Sequence, residues 1–263
     1  MRGSAIVLNL EEYRSVWHLL GLGTRHWNMD VPGLPELTED ERRVRVASAL
    51  EGLQARGLAD RRGPAPEVAD ALRLLANPQR EINGSVHVGA DRVRLLAGSR
   101  GDQAVLALLD DHHLLVRTGP AIELCTTVAR QLPARPAGPG SSVSVPSALL
   151  AQPADDGKPG LTGEQLENRL VRGGVKPADA RSFTAMIRGP KPGGGKFGAA
   201  RRDRNGARHS AGAALVYLTT ERGGYTLQPL RAPDGSAWTT LAPAMLAQVA
   251  QRLDQLISSI RIG

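Results

Sequence analysis

The stretch GPKPGGGKFGAARRDRNGARHS, residues 189–210, admits three readings: a phosphate cradle, a nucleic-acid grip, or the entry to a β-hairpin. Gly193-Gly194-Gly195-Lys196-Phe197-Gly198 fits G-x-G-x-x-G by letter, and Gly195-Lys196 looks like the end of a Walker A loop. A phosphate loop, however, needs a strand leading in and a helix leading out, so that backbone N–H groups converge on the anion. Pro190 stands where a Walker A loop needs glycine, and Phe197 stands where it needs Ser or Thr. Downstream, Asn205-Gly206 is the dipeptide best suited to a type I′ hairpin turn. The stretch is therefore read as a loop entering a strand over 196–202, with its turn at Asn205-Gly206.

Outward from this strand the chain repeats itself. On the C-terminal side, strands are expected near 211–219 and 224–230, then a helix starting at Pro243 with Leu246, Val249, Leu253 and Leu256 on one face. On the N-terminal side, Leu161-Thr162-Gly163-Glu164 opens a helix ending at Gly173-Gly174, and Lys176-Pro177 opens another to about Ile187. The first half shows the same order. A strand over 5–8 passes into a helix over 10–20, a Gly- and Pro-rich stretch follows over 21–35, and Thr38 caps a helix ending near Gly57. A short helix over 66–75 stops at Asn77-Pro78. Period-two alternation then runs from Arg80 through strands near 80–88, 93–96, 104–109 and 114–117, closed by a helix over 121–131.

The helix ends echo one another, LEGLQARGLAD in the first half and LENRLVRGGVK in the second. The simplest architecture that buries both halves is a duplicated α+β unit whose strands merge into one central antiparallel sheet flanked by helices. The expected organisation is residues 1–132, a Pro/Gly/Ser-rich connection over 133–160 with one helical turn near 147–151, and residues 161–263, integrated into one domain.

Composition narrows the function. The single cysteine, Cys125, permits neither an internal disulfide nor a multi-thiolate zinc site, which suits a reducing compartment. The first residues lack a signal-peptide pattern, and no window approaches the roughly 18 consecutive apolar residues of a membrane span. A cytoplasmic protein without membrane insertion is expected. The net charge of +7 invites a nucleic-acid partner. Against that partner, the arginines alternate with Asp and Glu, and few aromatics are present to stack on bases.

Candidate chemistry is sparse. Asp110-Asp111-His112-His113 is the one compact set of metal-capable side chains, but neighbours on a strand point to opposite faces, so a polar hairpin turn is the better reading. Cys125 lies in an apolar helical pattern without a histidine close in sequence, which reads as a buried structural thiol. His18 and His26, beside Trp17 and Trp27, have no ligating spacing. No catalytic residue, metal or cofactor is assigned. One rival remains: ERRVRVASALEGLQARGLADRRG has the look of the recognition helix and wing of a DNA-binding regulator. Seven Lys or Arg residues over 188–208 could support it, or could simply discourage edge-to-edge strand pairing.

The chain resembles the EspG family, cytosolic chaperones associated with type VII secretion. The resemblance rests on Gly195-Lys196-Phe197-Gly198-Ala199-Ala200-Arg201-Arg202-Asp203-Arg204-Asn205-Gly206, the Tyr225 strand GGYTLQPL, and APDGSAWTTLAPAMLAQVAQRLDQLI with Trp238 at a hairpin end. ALEGLQARGL and QLPARPAGPGSSVSVP are similar to its pattern too. It implies a pseudo-twofold α+β fold, no catalysis, and Gly195, Phe197, Gly198, Arg202, Asp203, Gly206, Tyr225 and Trp238 as structural positions. It also implies a helical secretion substrate as partner, a PE/PPE-like pair bound at its apolar tip; this sequence's departures from the family pattern open a small WXG-type protein as the alternative client, and both monomer and homodimer stay open. Two departures stand out. Thr219-Thr220-Glu221-Arg222 replaces the family's usual Asp-Thr before the tyrosine strand, and the 89–92 loop, whose counterpart can help contact clients in relatives, is short. The candidate groove is the sheet face around Val86, Val88, Val93 and Leu95 with the adjoining turn Gly89, Ala90, Asp91 and Arg92 and the final helix; the same valines and leucines also fit ordinary core.

Overall fold

The computed structural model describes residues 5–31, 38–150, 162–232 and 234–262. Leu161, expected to open a helix, and parts of the 21–35 and 133–160 stretches lie outside them. In chain order the first half contains β1 (Ile6–Asn9), α1 (Leu10–Leu19), a 3-10 turn (Trp27–Met29), α2 (Glu39–Gln54), β2 (Ala59–Asp60), β3 (Gly63–Pro64) and α3 (Pro66–Ala76). It continues with β4 (Arg80–Val88), β5 (Asp91–Arg100), β6 (Gln103–Leu109), β7 (His113–Pro120) and α4 (Leu124–Ala129). The second half contains β8 (Val143–Pro146), α5 (Gly163–Arg172), α6 (Pro177–Met186), β9 (Gly193–Arg202) and β10 (Arg208–Ser210). β11 (Leu215–Thr220), β12 (Gly223–Arg231), β13 (Ala237–Pro243) and α7 (Leu246–Ser258) complete it.

Helix ends follow the local chemistry expected of them. Thr38 and Glu41 form a reciprocal capping box at α2, Thr162 and Gln165 do so at α5, and Pro66 and Pro177 start α3 and α6. The sequence echo is a shared helix stop. Leu58 N–H donates to Leu53 O at 2.9 Å and Val175 N–H to Leu170 O at 3.0 Å, with Gly57 and Gly174 at positive φ, so both ends are Schellman motifs over a fully buried leucine.

One antiparallel sheet runs β1-β7-β6-β5-β4-β9-β11-β12-β13-β8, with β10 hydrogen-bonded to β9 off that path. Its seam is β4 against β9, paired without interruption from Arg80↔Arg201 to Val88↔Gly193. From the seam outward, β4, β5, β6, β7 and β1 match β9, β11, β12, β13 and β8, which is the pseudo-twofold expected from the repeat. One face of the sheet packs α4 and α7 over a continuous core containing Ile82, Leu95, Leu106, Phe197 and Tyr217. On the other face the halves keep separate cores: α1, α2 and α3 cover Leu96, Val105 and Ala107, while α5 and α6 cover Tyr225 and Leu241.

Four expectations change. The 133–160 stretch contains a strand, β8, paired with β13, so the second half starts with a strand as the first does. Besides β8, two further strands beyond the expected three, β10 and β13, belong to the second half, and Pro243 ends β13 instead of starting α7. β9 begins at Gly193, so the glycine run lies inside the central strand; a Cβ on Gly195 would stand 2.8 Å from the Leu132 and Phe197 side chains. Finally, no two-residue type I′ turn forms at Asn205-Gly206. Gly206 has φ +84, Asn205 does not have positive φ, and Gly206 N–H donates to Asp203 O at 3.1 Å. Asp203 Oδ1 accepts the Asn205 and Ala207 N–H groups at 2.8 and 2.9 Å, which favours the longer loop with one left-handed glycine.

Candidate docking surface

Because adjacent strand residues face opposite sides, register decides which residues share a surface. Arg94, Ser85, Lys196, Val216 and Leu227 are successive partners across β5, β4, β9, β11 and β12. They lie on the face that carries the two separate helical groups. Lys196 is exposed, and Arg94, Ser85, Val216 and Leu227 are half-buried, although all five sit near the middle of a large sheet. Among the described residues, the gap between α1–α3 and α5–α6 is thus an uncovered saddle floored by the seam of the two halves.

A buried polar cluster stands at one end of this floor. Glu81 is 3% exposed and receives both arms of Arg208, Nη2 to Oε1 at 2.6 Å and Nε to Oε2 at 3.2 Å. Asn83 Nδ2 donates to Glu81 Oε1 at 2.8 Å, and His26 Nε2 lies 3.2 Å from the same oxygen. Burial pushes the Glu81 carboxyl up, but His26 and Arg208 outweigh it and hold the group at about 2. This cluster joins the 21–31 loop and β4 of one half to β10 of the other.

The same loop presents Trp27 with 69% of its surface exposed. Its neighbours are fixed: Asn28 Nδ2 donates to Gly84 O and Leu95 O at 2.7 Å each, His26 Nδ1 accepts Asn28 N–H at 3.2 Å, and Met29 is fully buried with its carbonyl accepting Tyr13 OH at 3.2 Å. The indole is therefore an apolar ring held in water by a rigid base. It borders a surface cleft of about 900 Å³ shared with Ala90, Val93, Arg94, Asp111 and His112.

The candidate groove residues divide. Val86 and Leu95 are buried in the α4/α7 core, which corrects their assignment to an accessible face; the helices cover that side. Val88 is 54% exposed and Val93 half-buried, but by register both share the α4/α7 face with Val86; Ala90 and Arg92 are exposed at the turn, with Arg92 on the parity of Ser85, so these two stand at the saddle rim, and Asp91 is exposed beside them. Gly89 has φ +61 in the two-residue turn that carries them, the glycine-first pattern of a type II′ hairpin, and its N–H donates to Pro192 O at 2.8 Å. Trp27 and the saddle floor were not singled out by sequence. For Lys196, the polar residue amid apolar and small neighbours of a central strand was the available signal.

The remaining positions are structural in their contacts. Phe197 and Tyr225 are fully buried, and Tyr225 OH donates to Pro139 O at 3.2 Å. Arg202 Nη1 donates to Gly206 O at 3.1 Å, closing the Asp203 loop; Gly198 faces the Asn83 side chain; and Trp238 is 37% exposed with Nε1 donating to Ser236 Oγ at 2.9 Å. At Asp110, partial burial pushes the carboxyl up, but the His112 and His113 N–H groups, both 2.7 Å from Oδ1, bring it below its usual range. Cys125 is buried, and burial pushes its thiol up to about 11. Among the described residues no group of three or more His, Cys, Asp or Glu side chains could hold a metal ion, and no helix is long and apolar enough to cross a membrane. On α2, the helix that suggested DNA recognition, Arg42, Arg43 and Arg45 reach Glu39, Asp40 and Glu11.

The model of the EspG family matches residues 9–255. The chain belongs to the EspG family. Among solved structures, this EspG-family protein is similar to the Mycobacterium tuberculosis type VII secretion system chaperone EspG5, solved in complex with a PE25-PPE41 dimer. The TM-score is 0.73 at 15% identity, with 99% of this chain and 98% of that chain covered, which establishes a shared fold. No curated protein matches the sequence.

Proposed function

We propose that this EspG-family protein is a cytoplasmic chaperone of a type VII secretion pathway, acting by recognition and not by turnover. Its client is a helical pair of the PE–PPE type, whose apolar tip seats on the saddle floor between the two helical groups. The observation that carries the reading is family membership over nearly the whole chain, joined to a fold shared with a chaperone solved on a PE–PPE dimer. The uncovered seam supports it, since Val216 offers apolar floor, with Leu227 at its edge against the α5–α6 core, while Lys196, Ser85 and Arg94 offer polar contacts that keep the free protein soluble. Trp27 and the turn residues Ala90, Asp91 and Arg92 form the flank, while Val88 and Val93 lie on the α4/α7 face by register and are left out of the contact. Covering the client's apolar tip removes the patch that would drive its self-association.

The test is co-expression with a PE–PPE pair, followed by size-exclusion chromatography with light scattering. The proposal expects the chaperone and both client chains in one peak, and a client that precipitates when expressed without it. Separate elution of chaperone and pair would refute it, and capture of a WXG-type helical hairpin instead would move the client class.

A further inference from the structure

A second site lies away from the saddle, between α1, the 21–31 loop and α2. The polar side of α1 carries Glu11, Arg14, Ser15 and His18 at helical spacing, opposite the buried Tyr13, Val16 and Trp17. Arg25 from the loop and Arg42 and Arg45 from α2 meet them around a small pocket of about 130 Å³. Arginines from three elements thus line one space in which Glu11 is the single carboxylate among the lining residues.

The convergence is electrostatically costly as it stands. The Arg14 side chain is only 19% exposed, its Nη1 is buried without a hydrogen-bond partner, and its nearest carboxylate oxygen, on Glu11, is 3.8 Å away. Burial depresses the Arg14 guanidinium, with Arg25 and Arg45 adding to the depression and Glu11 opposing it. Arg25 meets Asp30 at 3.2 Å, Arg42 meets Glu39 at 2.5 Å and Arg45 meets Glu11 at 2.7 Å through part of their donor sets, each guanidinium carrying five N–H donors, so Arg14 is the member of the set with a buried nitrogen left unmade. A buried donor left unmade costs free energy, and like charges packed together add to it, so an anion in this space relieves both.

The geometry points to a binding site for a small tetrahedral oxyanion, a phosphate group, held by Arg14 at its base and by Arg25, Arg42 and Arg45 around it. The pocket is too small for a nucleotide but accommodates one phosphoryl group, and donors arriving from several directions suit a tetrahedral anion better than a planar carboxylate.

The test is isothermal titration calorimetry of the purified full chain with inorganic phosphate at about pH 8, where the dianion dominates, at ionic strength matched with chloride. The proposal expects saturable one-site binding. Arg14→Gln is expected to weaken it roughly tenfold or more, while Arg73→Gln, which removes the same charge from α3, leaves it unchanged. If Arg14→Gln does not fold, Arg42→Gln on the exposed rim is expected to weaken binding in the same direction. Absence of saturable binding, or equal weakening by Arg73→Gln, would overturn the assignment. Binding to vesicles of anionic phospholipid without binding to inorganic phosphate would overturn it as well.

Discussion

Trp27 is held in water by a base that has no freedom to withdraw it, because Asn28 is bonded to two strand carbonyls and Met29 is buried. Exposed aromatics on rigid supports are the usual anchors of protein interfaces. Trp27→Ala is therefore expected to weaken client binding by about 2 kcal/mol, some thirtyfold, while stability changes by no more than about 0.5 kcal/mol. Titration calorimetry with a PE–PPE pair and a thermal melt check both. Glu81 makes the opposite prediction. Its carboxyl is held at about 2 in the folded chain, below its ordinary value, so its contribution is complete above the ordinary carboxylate range and is lost as pH falls toward 2. The melting temperature of the native chain should drop more steeply between about pH 5 and 2.5 than that of Glu81→Gln, which at neutral pH is expected to be about 2–4 kcal/mol less stable because Arg208 loses its partner. Little of this was legible residue by residue. Glu81, His26 and Arg208 are brought together only by the sheet, and alternation identified Val86 and Leu95 as sharing a face without telling that α4 and α7 cover it.

At the scale of elements, the helices were the legible part, because caps, N1 prolines and left-handed glycines act locally. The echo between the two helix stops was read correctly as architecture for that reason. β8 escaped because four residues among Pro, Ser and Gly carry too little alternation, and β13 because its polar Thr239 and Thr240 find their hydroxyl partners, Ser147 and Ser144, only in and just after β8. The glycine run of β9 looked like a loop since glycine is rare inside strands, yet the seam needs it. Gly195 lies under Leu132 and beside Phe197, so Gly195→Val should destabilise the chain by about 1–3 kcal/mol through overpacking, or prevent folding altogether. Urea unfolding monitored by circular dichroism checks it, and a variant as stable as the parent would contradict the packing described.

For the whole molecule, the duplicated unit and its merged sheet were legible because the order of elements repeats. The saddle was not, since it exists only where two helical groups fail to meet across the seam. That gap is what separates a platform for a partner from a sheet covered on both sides. The most direct measurement is hydrogen exchange of the chain alone and bound to a PE–PPE pair. The account predicts added protection in β4, β9 and β11 along the row of Ser85, Lys196 and Val216 and at residues 88–93, with the α4 and α7 side unchanged. Protection confined to the α4 and α7 side, with the saddle row unaffected, would contradict it.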